Sequence, residues 1–246
     1  MDQVSILAAA GLRTRMESLD MLANNLANTQ TNGYKADREF YGQYVGAEAD
    51  LESGDPMSVK LPNVDNKWTD FTQGVLQPTG NPTDMALQGD GFFTVKGPAG
   101  PLYTRSGNFQ LDDKGHLLTL DKYPVLDSAG APIKVATGQT FDVGTDGVVR
   151  QGGNRMAQLQ VVSFRDPTAL AKMGGTYFQN ANDKVKPVAS TTTAVVQGRV
   201  ENSNVGAAES SVRLVQLLRQ FEMLQKAITI SAEMGRKADD LARVTG

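Results

Sequence analysis

Catalysis needs side chains that take up, release or share a proton, and this chain has few of the versatile kind. His116 is the single histidine among 246 residues. A Ser-His-Asp arrangement would have to use it as its base. It stands in Lys114-Gly115-His116, next to a turn signal, where a surface strand residue is the expected reading. There are no cysteines, which excludes thiolate nucleophiles, disulfides and cysteine-ligated zinc. Aspartates gather at Asp112-Asp113 and again at Asp142 and Asp146. A calcium loop needs oxygen ligands at alternate positions, a glycine at the sixth and a glutamate at the end. The run from Asp142 to Gly147 lacks that order and reads as turn residues. Gly89-Asp90-Gly91 precedes a β pattern, whereas a phosphate-binding glycine loop follows a strand and opens a helix. The expectation is a protein that is not an enzyme, with no catalytic, cofactor-binding or metal-binding residues and no cofactor.

The bulk numbers agree with a folded, non-basic chain. Hydrophobic residues make up 40% and charged residues 21%, and the formal net charge is -3. Nucleic acid and anionic membranes favour a basic surface, and the basic residues here are scattered, with no aromatic interleaving. No apolar run reaches the roughly 18 residues of a membrane span. The short run from Ile6 to Ala10 has Asp2 ahead of it and Arg13 and Arg15 behind it, unlike a secretory signal. Neither nucleic-acid binding nor direct membrane insertion is expected.

Two helical ends enclose a β-rich middle. Ala9, Leu12, Met16, Leu19, Ala23 and Leu26 follow alternating steps of three and four, a narrow apolar seam of the coiled-coil kind. Asp2 or Ser5 could cap its start, and Asn32-Gly33 supplies a stop. Leu214, Leu217, Phe221, Leu224, Ile228, Ala232, Gly235, Ala238 and Ala242 repeat the pattern near the C-terminus, where no proline follows Pro187. Short β runs are expected at 92–96, 102–105, 108–111, 117–120, 133–136, 159–164 and 193–200, separated by turn signals such as Asp113-Lys114-Gly115 and Gly152-Gly153. The fold class is therefore α+β, a discontinuous helical coiled-coil domain (1–33 and 206–246) with a mostly antiparallel β domain (78–205). Between them, 34–77 reads as an extended arm anchored by aromatic residues from Tyr34 to Phe71. Isolated helices of this length are marginal in water. The ends therefore need partners, and the subunit-packing positions are Leu12, Met16, Leu19, Leu26, Leu214, Leu217, Phe221, Leu224 and Ile228.

Three ordered blocks, around 24–35, 81–105 and 200–222, together resemble the flagellar rod and hook protein family. Asn24, Asn25 and Asn28, followed by Thr31, Gly33, Tyr34 and Lys35, are similar to its N-terminal signature. Asn81-Pro82, Asp84, Gly89, Gly91, Phe92, Phe93 and then Tyr103-Thr104-Arg105 are similar to its central block. Val200-Glu201, Ser203, Asn204 and Val205, with Arg219, Phe221 and Glu222, resemble its closing block. Thr83 departs from the leucine usual after Asn-Pro, and 47–66 matches nothing. The resemblance implies a structural subunit of the flagellar basal-body rod that assembles into a helical, torque-transmitting tube for motility. It implies end helices lining that tube, partners that are further copies and other axial proteins, and export through the flagellar type III apparatus. Length and Tyr123-Pro124-Val125 look most like the proximal rod, with the distal rod next. The alternative from a different class is a secreted carbohydrate-binding or adhesive β protein, which would use aromatics such as Trp68 and Tyr103.

Overall fold

The computed structural model describes residues 3–45, 60–182 and 184–244, with side-chain environments for 9–39, 67–182, 184–230 and 232–237. Along the chain come α1 (Gln3–Ala27), β1 (Asp37–Val45), β2 (Lys60–Thr69), β3 (Leu76–Pro78), β4 (Met85–Gln88) and β5 (Phe92–Gly97). Then follow β6 (Gly100–Thr104), β7 (Phe109–Leu111), β8 (Leu117–Thr119), β9 (Phe141–Val143), β10 (Val148–Gln151), β11 (Asn154–Gln158) and β12 (Val161–Ser163). The last are β13 (Leu170–Gly174), β14 (Tyr177–Asn180), β15 (Val188–Ala189), β16 (Ala194–Gln197), β17 (Arg199–Glu201) and α2 (Ala207–Val244). The class is α+β, with two long helices, one at each end, and mostly antiparallel sheets.

The chain divides into two compact units. The first holds Met1–Ala27, Asp37–Trp68 and Gly206–Gly246; the second holds Asn28–Ala36 and Thr69–Val205. The stretch 34–77 is thus shared between them, and its described part includes β1 and β2, which pair as a two-stranded sheet. Residues 46–59, which take in most of the unmatched 47–66, lie outside the described residues, as does the cap candidate Asp2.

In the helical unit α1 and α2 pack against each other. α1 ends at Ala27, before the expected stop at Asn32-Gly33. A turn takes over there, in which Thr31 donates its N–H to the Asn28 carbonyl at 3.2 Å and its hydroxyl to Asn28 Oδ1 at 3.1 Å. Local hydrogen bonds from Asn and Thr compete with helix in this way. α2 opens with Glu209, an acid in the first turn where the helix dipole favours it.

In the β unit a six-stranded sheet runs in the order β13-β14-β6-β5-β12-β15. β5 and β6 form its central hairpin, pairing Phe93 with Thr104 and Gly97 with Gly100. Alternate residues of β5 face opposite sides, as the pleat dictates. Phe93 and Val95 join a core with Met85, Leu87, Phe109, Ile133 and Val149. Phe92 joins a second cluster with Tyr103, Val162, Leu170 and Phe178. There Phe71 packs edge-on to Phe178, ring centroids 5.1 Å apart.

Some strands depart from expectation. The run 133–136 is not a ladder strand. Ile133 and Val135 are buried, and their backbones bond singly to Val125, Leu117 and Gly115. The run 193–200 is split into β16 and β17 by Gly198, whose φ of 72° takes the chain out of extended geometry. β4, β10 and the β13–β14 hairpin stand where no strand was expected.

Candidate functional site

Among the described residues, those that could do chemistry do not converge. His116 Nδ1 lies 2.9 Å from Asp112 Oδ2, and Asp112 Oδ1 also accepts the backbone N–H of His116 at 2.7 Å. These bonds close a turn, and those of His116, backbone first, hold the Asp112 carboxyl below its usual range. Asp146 does the same for another turn, accepting from the Val148 N–H at 3.1 Å and pairing with Arg150 at 3.3 Å. Gly89 and Gly91 have φ of 105° and 157° in the turn between β4 and β5. Among the described residues no group of histidine and carboxylate side chains could hold a metal ion. No helix of the described residues is long and apolar enough to cross a membrane. Tyr103, which a sugar would need as a platform, is 4% exposed within the aromatic cluster.

What does converge is a buried ionic cluster in the β unit. Glu201, at the end of β17, accepts from Lys35 Nζ at 2.6 Å and from Arg105 Nη1 at 3.3 Å. It also accepts the Gly74 N–H at 2.9 Å. Lys35 and Glu201 are fully buried, and Arg105 is 2% exposed. Lys35 gives a further hydrogen bond to the Thr72 carbonyl, and Arg105 Nη2 one to the Gly89 carbonyl at 2.8 Å. Burial pushes the pKa of both cations down, and Glu201 opposes that shift in each case. Loss of solvent disfavours the charged forms, and a carboxylate within hydrogen-bond reach restores them. Phe92 adds its ring face, 5.4 Å from the Arg105 guanidinium.

One residue from each of the three sequence blocks makes up this cluster, and others pack near it in the β unit. Gly33 donates its N–H to the Glu201 carbonyl at 2.6 Å. Its φ is 72°, and a Cβ there would collide with the backbone of Ser106, so only glycine fits. Asn204 Oδ1 accepts the Ala36 N–H at 2.8 Å, and its amide donates to the Asp70 carbonyl at 2.7 Å. Lys172 reaches across to donate to the Lys35 carbonyl at 2.8 Å and lies over the Tyr34 ring. Buried Asp84 takes a hydrogen bond from Asn108 at 3.4 Å, and its carbonyl accepts the Gly198 N–H at 2.7 Å. Ser203 Oγ accepts the Val205 N–H at 3.2 Å, just ahead of α2. Lys35, Arg105 and Glu201 lay inside the sequence blocks, but the sequence did not mark them as partners.

The helical unit holds the remaining candidates. Asn25 is buried and grips the start of β1 at both ends of its amide. Nδ2 donates to the Asp37 carbonyl at 2.7 Å, and Oδ1 accepts the Asp37 N–H at 3.0 Å. Asn24 is exposed, and Asn28 belongs to the turn after α1. The buried face of α1 carries Thr14, Ser18, Leu22 and Asn25, with Gly11 turned toward Leu224 of α2. The apolar positions Leu12, Met16, Leu19 and Leu26 lie about a third of a turn round from that face. Met16 is 54% exposed and the three leucines are half-buried. On α2, Leu217 is buried, and Leu214, Phe221, Leu224 and Ile228 are half-buried on one face with it.

The described residues thus form two long end helices and a β unit locked by a buried ionic cluster. Residues 86–151 match the family model of the flagellar hook protein FlgE/F/G D1 domain, and 196–241 match that of the flagellar basal body rod FlgEFG protein C-terminal region. The chain is 31% identical to a flagellar basal-body rod protein FlgG of Buchnera aphidicola, over 96% of this chain and 98% of that one. It is 32% identical to the FlgF of Caulobacter vibrioides over 97% of both chains. It is 30% identical to the FlgG of Bacillus subtilis over 95% of this chain and 97% of that one. The chain belongs to the flagellar basal-body rod protein family. It is a structural subunit of the rod in the flagellar basal body, and not an enzyme.

Proposed function

We propose that this chain is a proximal rod subunit whose α1 and α2 form a discontinuous coiled coil and bind neighbouring subunits through their apolar seams. The observation that carries the reading is the placement of the α1 seam. Its intrachain contact uses a face rich in small and polar residues, Gly11, Thr14, Ser18 and Asn25. The apolar stripe of Leu12, Met16 and Leu19 is left half-covered, in position to pack on other molecules. The partners are further copies and other axial proteins, reached after export through the flagellar type III apparatus. Neither nucleic acid nor a lipid bilayer is among them.

Chain length supports the proximal over the distal position. The alignment with the Caulobacter FlgF spans 241 positions and 97% of each chain. That with the Buchnera FlgG spans 257 positions, more than the 246 residues of this chain, so it requires insertions. The test is antibody labelling of purified hook–basal bodies. Label between the inner-membrane ring and the distal rod supports the proximal position. Label farther out places the chain in the distal rod, and absence from intact particles overturns the assembly reading.

A further inference from the structure

We propose that Asn32-Gly33 is a self-modification site. In the open chain it deamidates to aspartate and isoaspartate, folding of the β unit shuts the reaction off, and a chain that has reacted can no longer close that unit.

Asn32 and Gly33 form the only Asn-Gly pair in the 246 residues. The reaction joins the Gly33 backbone nitrogen to Asn32 Cγ. The Cγ–Nδ2 bond breaks, and the side-chain nitrogen leaves as ammonia with the proton given up by the Gly33 amide. Water then opens the cyclic imide at either carbonyl, so that an amide and a water become a carboxyl and ammonia. Opening at one carbonyl gives aspartate. Opening at the other gives isoaspartate, with the side-chain methylene moved into the main chain. Glycine favours ring closure because no Cβ shields its nitrogen.

The folded chain holds both reacting groups. They are the central residues of a turn closed by the Tyr34 N–H, which donates to the Thr31 carbonyl at 3.2 Å. The Gly33 N–H that must lose its proton is donated to the Glu201 carbonyl at 2.6 Å. Asn32 Nδ2 donates to Asn108 Oδ1 at 2.8 Å. The Ser106 backbone stands where a Cβ on Gly33 would lie, which leaves the Gly33 peptide little space to turn. Attack therefore requires local opening of the β unit.

Neither product fits the closed unit. Isoaspartate adds one bond of about 1.5 Å to the main chain, just ahead of Lys35, whose Nζ must meet Glu201 at 2.6 Å. The bonds of Gly33, Lys35 and Ala36 to Glu201 and Asn204 cannot all be kept. Aspartate sets a carboxylate against Asn108 Oδ1. Turning the Asn108 amide to donate to it would aim Oδ1 at buried Asp84, which now accepts Asn108 Nδ2 at 3.4 Å. Either product damages the unit where its entry and exit segments meet.

The full chain is incubated at mildly alkaline pH in guanidinium chloride and, in parallel, in buffer. Peptide mass spectrometry follows conversion of Asn32 to aspartate and isoaspartate. Conversion should be at least about tenfold faster in denaturant, because the folded chain reacts only while open, and should run ahead of that at every other asparagine. The aged chain is then refolded by dilution, and compact molecules are separated by size exclusion. The compact fraction should be depleted of converted chains. Asn32→Ser has no amide to lose at this position and should refold equally well fresh and aged. Equal rates in the two conditions, faster loss at another asparagine, converted chains at their full share in the compact fraction, or an aged Asn32→Ser that loses as much refolding as wild type would each overturn the proposal.

Discussion

Lys35 and Glu201 stand 166 positions apart in the chain and 2.6 Å apart in space, with neither side chain reaching solvent. Lys35 lies in the first segment of the β unit, and Glu201 in its last strand. Around them the two segments bond repeatedly, Gly33 to the Glu201 carbonyl and Ala36 to Asn204. The ion pair therefore closes the β unit where the chain enters and leaves it.

Glu201 is the hub of that closure. Glu201→Gln leaves Lys35 and Arg105 buried without the carboxylate they share, and breaking a buried pair costs about 3–5 kcal/mol. Lys35→Met should cost less, because Glu201 keeps Arg105 and the Gly74 N–H. Urea unfolding followed by near-UV circular dichroism gives the ranking. An equal or reversed order would remove Glu201 from the centre.

Asn25 offers a test that separates shape from charge. Asn25→Ala loses both bonds to Asp37, a loss of about 1–3 kcal/mol for the buried groups left unpaired. Asn25→Asp keeps the acceptor for the Asp37 N–H but sets a carboxylate oxygen against the Asp37 carbonyl. It should be at least as damaging as alanine at neutral pH, read by thermal unfolding. An aspartate variant as stable as wild type would mean that the donor bond contributes nothing.

Much of this architecture was legible, for identifiable reasons. The end helices carry apolar periodicity over many turns, and the hairpin β5–β6 alternates large residues on either side of a Gly-Pro turn signal. Strands that escaped notice include β4, β10, β13 and β14; they are short, four or five residues each, and one of them leans on a distant partner. β4 takes its register from β16, more than a hundred residues on. Ile133 and Val135 have strand-like side chains, but their backbones are held by single bonds to three different segments. The ionic cluster was hidden because no local pattern pairs a lysine after a glycine turn with a glutamate in the last strand. On α1 the periodicity located an apolar stripe, while the face that packs within the chain is made of threonine, serine and asparagine, residues that a hydrophobic pattern passes over.

The seam itself can be broken at two points with different consequences. Phe221→Asp places a charge on the α2 face that packs against α1, a costly burial without a partner. It should lower the helix content of the free chain and abolish motility. Leu19→Asp acts on the half-exposed stripe of α1, so it should leave the free chain helical and still abolish motility. In both variants the near-UV signal of the Phe92 and Phe178 cluster should persist. Working flagella built from either variant would sink the assigned packing role.

Acid should loosen the β unit through its turns. Asp112, Asp146 and Asp166 accept hydrogen bonds, chiefly from the His116 N–H, the Val148 N–H and the Thr168 side chain, and each is held below its ordinary value of 3.8. A carboxylate whose folded pKa is depressed stabilises fully above its unfolded pKa, and that contribution is lost as pH falls through the folded value. The acid-labile window therefore lies below about pH 4. The combined variant Asp112→Asn, Asp146→Asn and Asp166→Asn should be less stable than wild type at neutral pH, because a neutral amide accepts these bonds more weakly. Its melting temperature should also fall less between about pH 5 and pH 2, since it has no such charge to lose. Thermal melts across that range decide the matter. Parallel curves for the two proteins would show that the acid sensitivity arises elsewhere.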